Sequence, residues 1–496
     1  MQHYILAIDQ GTTSSRAILF NQHGQLISKA QQEFAQYFPN IAWVEHNPEE
    51  IWQSVLSVCN KVIQQSGITV KQIAAIGITN QRETTILWDR STGKPIYPAI
   101  VWQDRRTTEF CLNLKAKSRR EEEIFQKTGL LLDPYFSASK IAWLLTHVPG
   151  ASAKAQQGQL AFGTVDSFLL YRLTGGKIHA TDITNASRTM LLNLKTQSWD
   201  QDLLNLFDIP AAILPTIKDN CADFGVTAKE VFGHEIPITG MAGDQHAASF
   251  GQACFHEGMV KSTYGTGCFV MVNTGQQIVH SQNRLLTTVM SRINGRTTYA
   301  IEGSIFIAGA AVKWLRDQLG IIREPRETEF IAGSINSNKG VYLVPAFTGL
   351  GAPYWRPEAR GAIVGITRDT GRAEIVRAVL EAVCYQSCDL LRAILSDGCH
   401  QIYKFRVDGG MVENNWLLQF LADILNIEIE RPVCIETTAL GAAYLAGLQI
   451  GYFDSLEQIE NLWQRDAVFN SKMSATERET LYQGWLKAVQ QVCYQQ

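Results

Sequence analysis

The sequence predicts an α/β protein of two similar halves, and three junctions predict it. Residues 5–20 run apolar, turn at Gly11-Thr12-Thr13-Ser14 and run apolar again, which reads as two strands joined by a tight hairpin. Residues 259–271 repeat that pattern around Tyr264-Gly265-Thr266-Gly267, without being a tandem repeat in sequence. Residues 405–415 then pass from a strand through Asp408-Gly409-Gly410 into a helix. At 496 residues the chain is too long for one ordinary core, so two domains facing each other across a cleft are expected.

The elements follow in order. The first hairpin offers backbone N–H groups and hydroxyls in a concave turn, which suits phosphate oxygens, and Asp9 closes its first strand. Two readings stand here, a solvated surface hairpin or a phosphate cradle whose aspartate holds a hydrated magnesium ion. Asn47-Pro48-Glu49-Glu50 is a helix start, with a cap, a first-turn proline and acids at the positive dipole end. Ile51, Val55, Val58, Val62 and Ile63 give that helix one apolar face, and Ser66-Gly67 ends it. Residues 73–79 read as a buried strand whose exit carries Arg82 and Glu83, either a solvated turn or a donor fork and an acceptor for a polyhydroxylated ligand. Trp102 is a core residue or a ligand wall. Residues 236–241 lead as a strand into Asp244-Gln245-His246 and a small-residue helix, and an aspartate at such a strand end is where open α/β sheets place ligand chemistry. Residues 303–319 and 374–395 read as long helices, and residues 437–448 as a small-residue helix suited to close packing. Residues 456–496 are polar and helical, expected outside the core.

Composition excludes several classes. Hydrophobic residues make up 46% and charged residues 18%, as in soluble globular proteins. A net charge of −3 gives no footprint for nucleic acid or an anionic membrane. The ten cysteines include no paired Cys-x-x-Cys, so zinc is not expected and reduced thiols are. No uncharged run of membrane-spanning length and no signal segment occurs, so membrane insertion is not expected and a cytoplasmic protein is. There is no P-loop, no Gly-x-Gly-x-x-Gly fingerprint, no Gly-x-Ser-x-Gly elbow and no His-Glu-x-x-His zinc helix. Asp223-Phe224-Gly225 has a kinase-like spelling but lacks the His-Arg-Asp loop that would give it meaning.

Residues 9–16, 264–267 and 408–410 together resemble the nucleotide-binding motifs of the actin, hexokinase and heat-shock ATPase superfamily. Within it the chain resembles the FGGY carbohydrate kinases. Residues 135–147, with Lys140 and Trp143, resemble one family signature, and residues 361–381 the other. Residues 77–84, 102–106, 184–190 and 346–355 are similar to the glycerol-phosphorylating branch. The resemblance implies two ribonuclease-H-like domains closing over ATP–magnesium and glycerol, with glycerol 3-phosphate as product. Domain 1–250 would carry glycerol and phosphate contacts, domain 251–450 the nucleotide, and 451–496 would be a helical appendage. Arg82, Glu83, Tyr135, Asp244 and Gln245 would bind the hydroxyls, with Trp102 and Phe269 against the carbon backbone. Thr12, Thr13, Ser14, Arg16 and Thr266 would meet phosphates, Gly309, Gly410 and Asn414 would border the nucleotide, and Asp9 would organise magnesium. Asp244 is expected to be the general base, or else merely a helix-capping acid. A homo-oligomer, dimer or tetramer, is expected. The alternatives are a sister kinase for xylulose or gluconate, and an actin-like switch ATPase indifferent to glycerol.

Overall fold

The protein is described here by a computed structural model covering residues 3–117, 119–356, 358–399 and 402–493. The first apolar runs form β1 (Tyr4–Gln10) and β2 (Ser14–Phe20), antiparallel, and β3 (Leu26–Glu33) extends the meander. Helix α1 (Pro48–Ser66) begins where the cap predicts: the Asn47 side chain accepts from the Glu49 N–H, and Gly67 ends the helix in the left-handed region. Ile51, Val55 and Val62 are fully buried, each worth roughly 1.5–3 kcal/mol of transfer free energy. Beyond them β4 (Ile73–Asn80) pairs parallel with β1, and β5 (Ile238–Gly243) parallel with β4. The sheet order is β5-β4-β1-β2-β3, the ribonuclease-H-like arrangement.

The second half repeats it. β6 (Met259–Tyr264), β7 (Cys268–Asn273), β8 (Leu286–Ile293) and β9 (Arg296–Ile305) are antiparallel neighbours in the order β8-β9-β7-β6. β10 (Lys404–Asp408) and β11 (Ile429–Pro432) follow in parallel on the other side of β6, and β12 (Arg465–Phe469) closes the sheet antiparallel to β11.

Two sequence expectations fail in this half. The helix expected over 303–319 is only Gly309–Asp317, because residues 303–305 complete β9 and pair with β7. β9 is buried continuously from Tyr299 to Gly303, and it is its pairing with β7 that makes 303–305 strand rather than helix. The stretch after 451 is not an appendage outside the core: β12 belongs to the sheet, and the final helix (Ala475–Cys493) buries Trp485 completely against Tyr385, ring centroids 5.5 Å apart. Trp485 Nε1 and Tyr482 Oη both donate to the buried Asp389 carboxylate, at 2.8 and 2.6 Å. Residues 494–496 of that expected stretch lie outside the described residues.

Two helices join the halves. α2 (Asp244–Gly251) follows β5, and α3 (Thr437–Gln449), the small-residue helix, crosses it while lying on β4 and β5 of the first sheet. The crossing is tight enough that a Cβ on Gly441 would sit 1.8 Å from the Ala247 carbonyl oxygen. The same helix also approaches the first sheet closely at two glycines, where a Cβ on Gly77 would sit 2.1 Å from the Ala442 carbonyl oxygen and one on Gly240 2.3 Å from the Ala446 nitrogen, so a helix supplied by the second half is fixed at the base of the cleft.

Candidate functional site

The parallel strands β1, β4, β5, β6 and β10 end in Gln10, Asn80, Gly243, Tyr264 and Asp408, with Asp9 one residue before the end of β1, and the candidate residues cluster around these carboxyl ends, where open sheets collect ligand chemistry. One group surrounds Arg82. Its Nη1 and Nη2 donate to the two oxygens of Glu302 at 2.5 and 3.0 Å, and its Nε lies 3.1 Å from Asp244 Oδ1. Glu83 is paired elsewhere: its carboxylate accepts from Arg188 Nε at 2.6 Å, and Arg188 Nη2 also reaches Glu302, at 3.2 Å. Arg82, Glu83, Arg188 and Glu302 are all buried. The adjacent acid and base expected at this turn thus face different partners, and Glu83 takes the left-handed φ of 59° that lets consecutive side chains diverge.

Aromatic rings wall this group. Trp102 lies edge-on to Tyr135 (5.6 Å between centroids) and to Phe269 (6.5 Å), and the Arg82 guanidinium carbon sits 5.9 Å from the Phe269 ring. Burial raises the Tyr135 phenol, so it remains a hydrogen-bond donor at neutral pH. Lys140, itself buried, holds the Tyr135 loop by donating to the carbonyls of Pro134 and Tyr135, both at 2.6 Å, and of Phe136. Gln245 is fixed from the second half, since the buried ammonium of Lys261 on β6 donates to its side-chain oxygen.

Trp102 also connects this group to the first hairpin, donating its indole N–H to Thr12 Oγ1 at 3.0 Å. Gly11 N–H closes that turn on Ser14 O at 2.9 Å. Thr13 is exposed at the tip, Ser14 Oγ accepts from Gln31, and Arg16 Nη1 lies 3.0 Å from Glu436 and 3.7 Å from Asp9. Burial raises the Asp9 carboxyl to about 6, opposed by Arg16 and reinforced by Glu436 and Asp244.

A second group lies beyond the β6–β7 turn. Gly309 N–H donates to Gly265 O at 2.9 Å, and the Thr266 carbonyl accepts from Ala308 and Ala310 N–H at 3.0 Å each. Gly409 passes Tyr264 with φ of 92°, where a Cβ would stand 2.5 Å from the Tyr264 carbonyl oxygen. Gly410 borders open space, and Asn414 caps the helix Asn415–Leu425 while its Nδ2 donates to Thr328. Thr266, Gly309 and Gly410 are therefore gathered at one mouth, and Phe269, one turn along β7, reaches the Arg82 group.

Sequence reasoning assigned no role to Glu302, Lys261, Arg188 and Glu436. The first two carried a signal, each being a lone charge in an otherwise apolar strand run, which predicts a buried partner. Nothing local could name that partner.

Models of the FGGY family of carbohydrate kinases match residues 4–251 with the N-terminal domain and 260–450 with the C-terminal domain. A glycerol kinase of Coxiella burnetii is 60% identical over 490 residues, covering 99% of this chain and 98% of its own. One of Ectopseudomonas mendocina is 61% identical over 492 residues, covering 99% of each. The crystal structure of Plasmodium falciparum glycerol kinase with ADP superposes with a TM-score of 0.94 at 40% identity, over 100% of this chain and 99% of that one. A gluconate kinase from Lactobacillus acidophilus, at 22% identity and a TM-score of 0.89, shares the fold. The chain belongs to the FGGY family of carbohydrate kinases.

Proposed function

We propose that this chain transfers the terminal phosphoryl group of ATP to a terminal hydroxyl of glycerol, giving glycerol 3-phosphate and ADP. The carrying observation is the composition of the Arg82 group: a charged fork, a carboxylate and a phenol facing a wall of Trp102 and Phe269. Glycerol offers three hydroxyls and a short carbon chain, and such a site matches both. The kinases at about 60% identity over nearly the whole chain are named for glycerol, while the gluconate and xylulose kinases, at 22%, share only the fold.

Phosphoryl transfer asks for positioning and charge stabilisation more than covalent help. Arg82, Glu83, Tyr135 and Gln245 would hold the triol's hydroxyls. Asp244 would accept the proton of the attacking oxygen, and Arg82 Nε keeps that carboxylate aimed. Thr12, Thr13, Ser14 and Arg16 from one half and Thr266 from the other would cradle the phosphates, with Gly309, Gly410 and Asn414 at the nucleotide. Residues 1–250 and 251–450 would form the two closing lobes, excluding water as a competing nucleophile.

Asp9 fits a magnesium ion carried in with ATP. Its buried carboxylate has negative neighbours and only Arg16 close, and no cluster of three or more His, Cys, Asp or Glu side chains able to cage a metal occurs among the described residues. A largely hydrated ion meeting one carboxylate suits that donor set, and when bound it would neutralise phosphate charge. A cytoplasmic homo-oligomer, dimer or tetramer, completes the reading. No helix among the described residues is long and apolar enough to cross a membrane, and sedimentation velocity tests the assembly.

The decisive experiment measures ADP release from ATP with glycerol, xylulose, gluconate or no acceptor. Release that requires glycerol is expected. Release of equal rate without any acceptor would replace the kinase by a switch ATPase.

A further inference from the structure

Glu302 lies on β9 of the second sheet, yet its carboxylate is spent on residues of the first half. It accepts two N–H groups of Arg82 and one of Arg188, and its side chain is 1% exposed. The result is a continuous chain, Glu83–Arg188–Glu302–Arg82–Asp244, in which every link is a charge-assisted contact of 3.2 Å or less. Burial alone would raise the Glu302 carboxyl, but Arg188 and Arg82 hold it down to about 2, so it is ionised at every working pH.

The geometry of the fork gives this chain a consequence. A guanidinium carries five N–H groups in one plane. In Arg82 one N–H of each terminal nitrogen goes to Glu302, and Nε is ion-paired with Asp244 at 3.1 Å; the second N–H of each terminal nitrogen remains, and the bidentate clamp fixes the direction in which those two point. We infer that Glu302 is the positioning residue of the substrate site: it orients the Arg82 fork toward the acceptor hydroxyls and keeps Arg82 Nε on Asp244. It also allows two arginines to share one buried site. Without its charge, Arg82 and Arg188 would repel each other with only Glu83 and Asp244 to hold them, at opposite ends of the chain. Because Glu302 comes from the second half and Arg82 from the first, the acceptor site is assembled only when both halves are in register.

This inference rests on glycerol as the acceptor, so wild-type turnover with glycerol is measured first; its absence would overturn the functional reading and not the geometry. Glu302→Gln is expected to raise KM for glycerol about 10- to 100-fold, with KM for ATP and the affinity for ADP changed less than about twofold. A structural role alone would lower the melting temperature and leave the ratio of the two KM values where it is. Glu302→Asp, which keeps the charge but withdraws it by one methylene, carries the same prediction should the glutamine variant not fold. The double variant Glu302→Gln/Arg188→Met removes the surplus positive charge. If glycerol affinity stays low in it, orientation of Arg82 is the cause. Recovery of wild-type KM in the double variant, or an unchanged KM for glycerol in either folded single variant, would overturn the inference.

Discussion

Arg82 Nε lies 3.1 Å from Asp244 Oδ1, so the carboxylate proposed as general base is charge-paired before any substrate arrives. The same oxygen accepts the Gln245 N–H at 2.7 Å, which is a helix N-terminal contact. Structural and chemical roles therefore meet on one atom, and the neighbouring helix and guanidinium together fix where the second oxygen points.

Asp244→Asn separates those roles. An amide oxygen still accepts the Gln245 N–H, and Asn serves a helix N-terminus about as well as Asp, so the melting temperature should move little. An amide cannot accept the hydroxyl proton, and kcat should fall by about 10²–10⁴. Glycerol and ADP should still bind by calorimetry. Near-normal kcat would leave Asp244 as a helix-terminal acid and send the search for the base elsewhere.

How much of this was legible in the sequence depends on range. The two hairpins announce themselves because Gly and Thr turns between apolar runs have one local solution, and Asn47-Pro48 with Gly67 brackets its helix in a few letters. Glu302 was opaque for the opposite reason: its partners lie 220 and 114 residues away, and the residues after it look helical until β7 is there to pair with them. The Arg82-Glu83 dipeptide stood out as a donor fork beside an acceptor, but the buried partners that hold each side chain, Glu302 and Arg188, come from elsewhere in the chain. Trp485 sits in a polar helical stretch where Tyr482, Trp485, Val489 and Val492 share one face at helical spacing, but nothing local shows what that face packs against, and Trp485 is among the largest fully buried side chains.

Trp485→Ala is accordingly expected to destabilise the protein by about 3–5 kcal/mol, the range for emptying a large aromatic site in a core. The loss includes its hydrogen bond to Asp389, leaving that buried carboxylate to Tyr482 and Tyr354. Denaturant unfolding would measure it. A change below about 1 kcal/mol would mean that the last helix is peripheral after all.

Gly441→Ala tests the crossing of the two central helices. The added Cβ would stand 1.8 Å from a backbone oxygen, and backbone cannot step aside as a side chain tip can. Overpacking of this kind typically costs about 1–3 kcal/mol, and here it must push α3 away from α2. Both the melting temperature and kcat should drop, because the same helix carries Glu436, by its N-terminus, to Arg16. Alanine tolerated with full activity would show that the helices can separate without disturbing the cleft.

At Asp9 a proton and a metal ion would compete for one buried carboxylate. Its carboxyl is raised from 3.8 to about 6, chiefly by burial. Between about pH 4 and 6 the folded state therefore binds more protons at this site than the unfolded state does. Stability contributed here is present at low pH and is lost as pH rises through that window, because above it a buried charge must be tolerated. A divalent cation carried by the nucleotide offsets that charge, so its binding must compete with the proton. With ADP held constant, magnesium should raise the melting temperature more at pH 7.5 than at pH 5. Asp389 has its own carboxyl raised to about 6 and titrates in the same range, so the quantity to read is the difference between wild type and Asp9→Asn. The asparagine variant should lose most of the magnesium-dependent shift at pH 7.5, while its melting temperature without metal equals or exceeds that of wild type. A magnesium shift of wild-type size in Asp9→Asn would remove Asp9 from the metal's surroundings and return the first hairpin to phosphate binding alone.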